Sequence, residues 1–165
     1  MANDWSCVLV RHASAGDART WRGEDDLRPL DPKGRKQAQA LAPLMSELGI
    51  ERVVSADILR CVQTVEPSAA AISSDIRSTR VFTEAGYSDN PDAALDMFLE
   101  LMHSGVPTML CSQGGAIPDI MERCFDSEGW GPRRDTWTKK GAFWRFTFES
   151  GAPVPRAIAL VPNPI

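Results

Sequence analysis

The chain has 165 residues, about one domain's worth at roughly 150 residues per domain, so a single domain over residues 1–165 is expected. Apolar residues make up 43% and charged residues 24%, which excludes a disordered segment, a collagenous repeat and a disulfide miniprotein. Eighteen basic against 22 acidic side chains give a net charge of −4, which argues against a nucleic-acid partner, so an anionic ligand needs a local cluster of positive groups.

The opening run MANDWSCVLVRHASA has no basic start and only a short apolar stretch, and no run of about eighteen apolar residues occurs anywhere; a cytoplasmic protein with no membrane partner is expected. Cys7-Val8-Leu9-Val10 reads as a buried strand stopping at Arg11-His12. Ala13 to Arg28 reads as a polar loop, in which Asp17 and Glu24 to Asp26 are most simply exposed acids. Asp31-Pro32 is a cap followed by a first-turn proline. Gln37, Ala38, Ala40, Leu41, Leu44, Met45 and Leu48 then supply a helical stripe ended by Gly49. Arg52 to Ser55 reads as the second strand. A helix beginning near Asp57 carries Arg60, Cys61 and Gln63 and must bend or break at Pro67.

Val81-Phe82 is expected as a third short strand. Asn90-Pro91-Asp92 opens a helix with Ala94, Leu95, Phe98, Leu99 and Met102 on one face, closed by Gly105. Thr108 to Cys111 is the fourth strand, running into Ser112-Gln113-Gly114-Gly115 and a helix through Cys124. Phe143 to Phe148 and Ala157 to Val161 complete the pattern as a strand pair turning near Ser150-Gly151. Short β-branched runs alternating with helices give an α/β fold. Cys7, Cys61, Cys111 and Cys124 form no C-x-x-C, so zinc spacing is absent and four reduced, mostly buried thiols are expected.

In open α/β sheets ligands bind where strands end and helices begin. Arg11 and His12 follow the first strand, Arg60 the second, Glu84 the third and Gln113 the fourth. Two guanidinium groups beside an imidazole and a carboxyl group suit phosphoryl transfer. The arginines can hold phosphate oxygens by bidentate bonds, the imidazole can be the nucleophile, and the carboxyl group can protonate the leaving oxygen. With no metal-ligand cluster and no cofactor motif in the sequence, the positive charge falls to side chains and helix amides.

These residues resemble the histidine phosphatase superfamily. Leu9-Val10-Arg11-His12-Ala13 looks like its nucleophile motif. Leu30 through Ala38, Ser55 through Thr64, Glu84-Ala85-Gly86-Tyr87 and Cys111-Ser112-Gln113-Gly114 follow in the family's order. Cys61 through Pro67 and Lys140 through Trp144 further resemble the compact, SixA-like domains and those linked to Nudix hydrolases. The resemblance implies a phosphoglycerate mutase-like three-layer sandwich around a mostly parallel sheet. His12 would be the phosphorylated nucleophile, Arg11 and Arg60 phosphate clamps, and Glu84 the proton donor, with no metal or cofactor. Implied partners are a phosphorylated small molecule, such as a nucleotide or sugar phosphate, or a phosphohistidine protein, and a Nudix domain as a neighbour.

Two positions depart from the family pattern. Ala13 stands where the family has glycine, and Gln113 stands where it has its second active-site histidine. Gln113 can donate an amide hydrogen but carries no positive charge, so phosphate binding with slow or absent hydrolysis is expected, the alternative being a non-catalytic phosphate-binding or regulatory domain. His103 cannot replace the missing histidine, because the strand from Val106 to Ser112 separates it from the catalytic edge by roughly 20 Å. It reads as a surface residue at a helix C-terminus, where its positive form is tolerated. No cysteine is followed at the required distance by arginine; Cys111 would need one at Ile117. Gly114-Gly115 is not followed by the Gly-Lys-Ser/Thr of a phosphate loop. Phe143-Trp144 reads as core or sheet-edge packing rather than base stacking, and Arg133-Arg134 as a solvated pair.

Overall fold

Residues 3–165 are described by the structure, a computed structural model. Six strands form one sheet: β1 (Asp4–Arg11), β2 (Arg52–Ala56), β3 (Ile76–Thr79), β4 (Thr108–Ser112), β5 (Phe143–Glu149) and β6 (Ala157–Val161), in the order β3-β2-β4-β1-β5-β6. The pairs β3–β2, β2–β4 and β4–β1 are parallel, whereas β1–β5 and β5–β6 are antiparallel. Successive residues Cys7 to Val10 and Met109 to Cys111 are all fully buried, as strands must be when helices cover both faces. The helices are α1 (Pro32–Glu47), α2 (Leu59–Ala71), α3 (Glu84–Asp89), α4 (Pro91–Met102) and α5 (Ile117–Asp126). This is an α/β sandwich around a mixed, mostly parallel sheet.

Both cap-plus-proline signals lie at real helix starts. Asp31 Oδ1 accepts from the Gly34 N–H at 2.8 Å ahead of α1, and Asn90 Oδ1 accepts from the Ala93 N–H at 3.1 Å ahead of α4, each satisfying a donor that the first helical turn leaves free. The α1 stripe buries Gln37, Ala38, Leu41 and Met45. All four cysteines are buried and unbridged.

Three expectations are corrected. The third strand is Ile76–Thr79; Val81-Phe82 instead belongs to a 3₁₀ turn, Arg80–Phe82, capped by Thr79. Phe82 is fully buried there, so its apolar character reflects core packing and not pairing. Of the bend or break expected at Pro67, the break does not occur: helix α2 runs on to Ala71. Pro67 is only half-buried, so water can serve the carbonyl that loses its partner. The polar segment after β1 contains a 3₁₀ turn, Asp25–Leu27. Asp17 and Glu24 to Asp26 are exposed, as expected, although Asp25 is also ion-paired, as described below.

The remaining surface assignments divide. Phe143 and Trp144 are 2% and 1% exposed and belong to the core. Arg133 is exposed and pairs with Asp126 at 3.0 Å, while the Arg134 guanidinium lies over the Phe125 and Trp144 rings. His103 is exposed at the end of α4, edge-on to Phe148 at 5.0 Å between ring centres, and burial lowers its pKa. That burial, only partly opposed by the charge of Glu128, disfavours the positive form that its helix end was expected to tolerate. No described helix is long and apolar enough to cross a membrane.

Candidate active site

The parallel strands deliver Arg11, His12, Arg60 and Gln113 to one carboxyl edge of the sheet, with Glu84 reaching it from the start of α3. The His12 N–H donates to the Ser112 carbonyl at 3.2 Å, extending the β1–β4 pairing by one residue. The His12 side chain is 5% exposed. Its Nδ1 lies 2.8 Å from the Ala13 carbonyl. A carbonyl oxygen only accepts, so Nδ1 carries the hydrogen and Nε2 keeps its lone pair. Burial is the main force holding the imidazole pKa down at about 3; the charges of Arg60, Arg11 and Lys140 add to it, against the opposing Ala13 hydrogen bond. The ring is therefore neutral at physiological pH.

Each arginine is fixed through part of its fork. Arg11 Nη1 donates to the Thr138 carbonyl at 2.9 Å, and its guanidinium carbon sits 5.2 Å from the centre of the Trp137 ring. Arg60 occupies the first turn of α2, donating from Nη1 to the Asp25 carbonyl at 2.7 Å and from Nη2 to Asp25 Oδ2 at 2.9 Å. The Nε atoms of Arg11 and Arg60 are both buried without a partner. Buried donors without acceptors are costly. Two of them on guanidiniums that both act on His12 point to an anion.

Gln113 Oε1 accepts the Glu84 N–H at 2.7 Å, and Glu84 Oε1 accepts the Gly115 N–H at 2.9 Å. A backbone N–H only donates, so the first bond assigns Gln113 Oε1 to it and leaves Nε2 as the side chain's donor. The Gly114-Gly115 pair makes room for this arrangement. A Cβ at Gly114 would lie 2.6 Å from Arg11 Cζ and Nε, and one at Gly115 would lie 2.7 Å from Glu84 Oε1.

Sequence reasoning missed four supporting residues. Thr64 Oγ1 accepts the Ala13 N–H at 2.9 Å while donating to the Arg60 carbonyl at 2.7 Å, tying the turn after His12 to α2. Its place in the Arg60-to-Thr64 run was the available signal. Asp25 pairs with Arg60, and also with Arg28 at 3.1 Å. Burial acts to raise the Asp25 pKa, but the Arg28 and Arg60 partners prevail and lower it. Arg28 also donates to the Ala15 carbonyl, and Thr138 holds Arg11. No local pattern marks these three.

Residues 7–96 match the profile of the histidine phosphatase superfamily, branch 1. The chain is 33% identical over 144 residues to an 8-oxo-(d)GTP phosphatase of Mycolicibacterium smegmatis, covering 87% of this chain and 44% of that protein. The protein histidine phosphatase SixA, solved with tungstate, superposes with a TM-score of 0.71 at 18% identity over 96% of this chain and 97% of that one. A mycobacterial glucosyl-3-phosphoglycerate phosphatase superposes with a TM-score of 0.63 at 16% identity, over 86% and 90% of the two chains. The chain spans less than half the length of the curated relatives it matches.

Proposed function

Because the chain belongs to the histidine phosphatase superfamily, we propose that it is one such domain over residues 1–165 and hydrolyses phosphomonoesters or phosphohistidine through a phosphohistidine at His12. The observation that carries this reading is a neutral imidazole with a free Nε2 beside two guanidiniums whose buried Nε donors lack acceptors. Arg11 and Arg60 hold the phosphoryl oxygens. His12 Nε2 attacks phosphorus, the ester P–O bond breaks, and Glu84 gives its proton to the leaving oxygen. Water then attacks the phosphorus and the P–N bond breaks. Glu84 takes the water's proton, while phosphate leaves.

Nucleotides, sugar phosphates and phosphohistidine are the substrate classes for this reading. The name of the 33%-identical relative favours a nucleotide. A Nudix hydrolase domain is the proposed neighbour in a longer protein, in the cytoplasm. Gln113 supplies an amide hydrogen without charge, and Asp25 competes for Arg60, so turnover is slow. These two contacts also favour a second reading, a phosphate-binding domain without catalysis.

One assay separates the two readings. With an aryl phosphate and a nucleotide panel, slow turnover is expected that disappears in His12→Ala. Gln113→His should raise it by about 10²- to 10³-fold, the scale of one preorganised electrostatic stabiliser. Turnover that survives in His12→Ala removes the nucleophile assignment. No turnover in either the parent or Gln113→His leaves the binding domain.

A further inference from the structure

Beside Arg11 lies a cavity of about 500 Å³, lined by Arg11, Ser14, Lys33, Trp137, Lys139 and Lys140 among others. None of its three lysines forms an ion pair with a carboxylate among the described residues. Asp31, whose carboxylate acts on Lys140, is committed to Ser14 Oγ at 2.6 Å and to the amides of Gly16 and Gly34 at 2.9 and 2.8 Å. Burial, followed by the charge of Arg11 and Arg28, lowers the Lys140 pKa. Positive charge is thus gathered at one place on a chain whose net charge is −4. A second cavity, which shares Glu84 and Gln113 with the candidate site and is otherwise lined by Asp25, Asp26, Asp57 and Arg80 among others, is mainly acidic. Beyond the reacting phosphate, a second anionic group is therefore better accommodated in the basic cavity than in the acidic one.

The basic flank also presents an aromatic face. Trp137 is 59% exposed, the most exposed aromatic side chain of its size among the described residues, and it is not loose. Thr138, 1% exposed, gives its carbonyl to Arg11 and accepts the Trp144 indole N–H at 2.9 Å through Oγ1, which anchors the segment carrying Trp137, Lys139 and Lys140. The opposite wall is fixed by Gln37, whose Oε1 accepts the Ser14 N–H at 2.9 Å. Exposing an indole on a rigid segment beside unpaired lysines suits a ligand that is both planar and polyanionic.

We propose that this cavity is a substrate subsite for a second phosphoryl group and a planar ring, with Lys33 and Lys139 on the phosphoryl group and Trp137 against the ring, so that the chain selects nucleoside diphosphates over simple monoesters. This deepens the proposed phosphatase reading and rests on it for the identity of the reacting phosphate. Arg11 joins the two halves, since it lines the cavity and also acts on His12 and Glu84.

Calorimetric titration of the protein with inorganic phosphate, inorganic pyrophosphate and α,β-methylene adenosine diphosphate tests the subsite apart from turnover. The parent should bind the nucleotide at least about tenfold more tightly than phosphate. The double variant Lys33→Gln/Lys139→Gln, at two exposed positions, should lose about tenfold for the nucleotide and for pyrophosphate, the scale of a charge-assisted contact, with phosphate unchanged. Trp137→Leu should lose about tenfold for the nucleotide and nothing for pyrophosphate. Equal affinity for phosphate and nucleotide in the parent, or an unaltered nucleotide affinity in the lysine variant, overturns the subsite. That result beside His12-dependent turnover removes the subsite alone. Lysine-dependent nucleotide binding beside turnover that survives His12→Ala removes the nucleophile alone.

Discussion

A histidine kept neutral by burial leaves a signature in stability as well as in chemistry. His12 has an ordinary value near 6.5 and a folded value held at about 3. Between these the unfolded chain binds the proton that the folded chain refuses, so stability falls as pH drops through the ordinary value. From pH 8 to pH 5 this single ring accounts for a loss of about 2 kcal/mol. Chemical denaturation at the two pH values, compared with His12→Asn, should show the acid loss smaller in the variant by that amount. An identical loss in both proteins would mean the imidazole titrates normally and is not shielded. The same neutrality keeps Nε2 available as a nucleophile throughout this range. The residues legible in the sequence at this scale were those whose type announces chemistry, namely Arg11, His12, Arg60, Glu84 and Gln113. Asp25 and Thr138 were not legible, because their value lies in reaching Arg60 across 35 positions and Arg11 across 127.

At the scale of elements, α1 helps to hold the loop after the nucleophile. Its cap Asp31 binds Ser14 and Gly16 as well as the helix amide at Gly34, and a Cβ on Gly34 would stand 1.8 Å from the Ser14 carbonyl oxygen. That oxygen belongs to backbone and cannot swing aside. Gly34→Ala should therefore cost about 1–3 kcal/mol despite alanine's better helix propensity, lowering the melting temperature by several degrees and weakening phosphate binding by moving Ser14 and its neighbours. Lys36→Ala, at an exposed position of the same helix, is the control expected to stay within about 0.5 kcal/mol. A Gly34→Ala protein that melts with the parent would show that the helix and loop do not pack this closely. Helix starts were readable because caps are local chemistry, as Asp31-Pro32 and Asn90-Pro91 demonstrate. The third strand was not. Ile76–Thr79 lies at the edge of the sheet with half-buried and exposed residues and so carries little apolar signal, while buried Phe82 drew the assignment six residues past Ile76. Thr83, which caps α3 by accepting the Gly86 N–H at 2.9 Å, was the unread sign of that helix.

Across the whole molecule, the parallel sheet concentrates charge that composition disperses. A net charge of −4 repels anions at a distance, yet the carboxyl edge gathers Arg11, Arg28, Arg60 and Lys140 closely enough for all of the other three to act on Lys140. Folding pushes these cations together at a cost, and a bound tetrahedral anion should relieve it. Inorganic phosphate at about a hundredfold excess over its dissociation constant should stabilise the fold by about 2.7 kcal/mol, a rise of roughly 5–11 °C in melting temperature for a chain of this size. Phosphate also strengthens folding non-specifically by exclusion from protein surfaces, so the decisive comparison is Arg60→Gln in the same buffer. The variant should keep only the small non-specific rise, and chloride at matched ionic strength should produce none of the specific one. Equal phosphate-induced shifts in parent and variant would show that the clustered charge is a structural tension with no ligand behind it, and the phosphate site would have to be sought elsewhere.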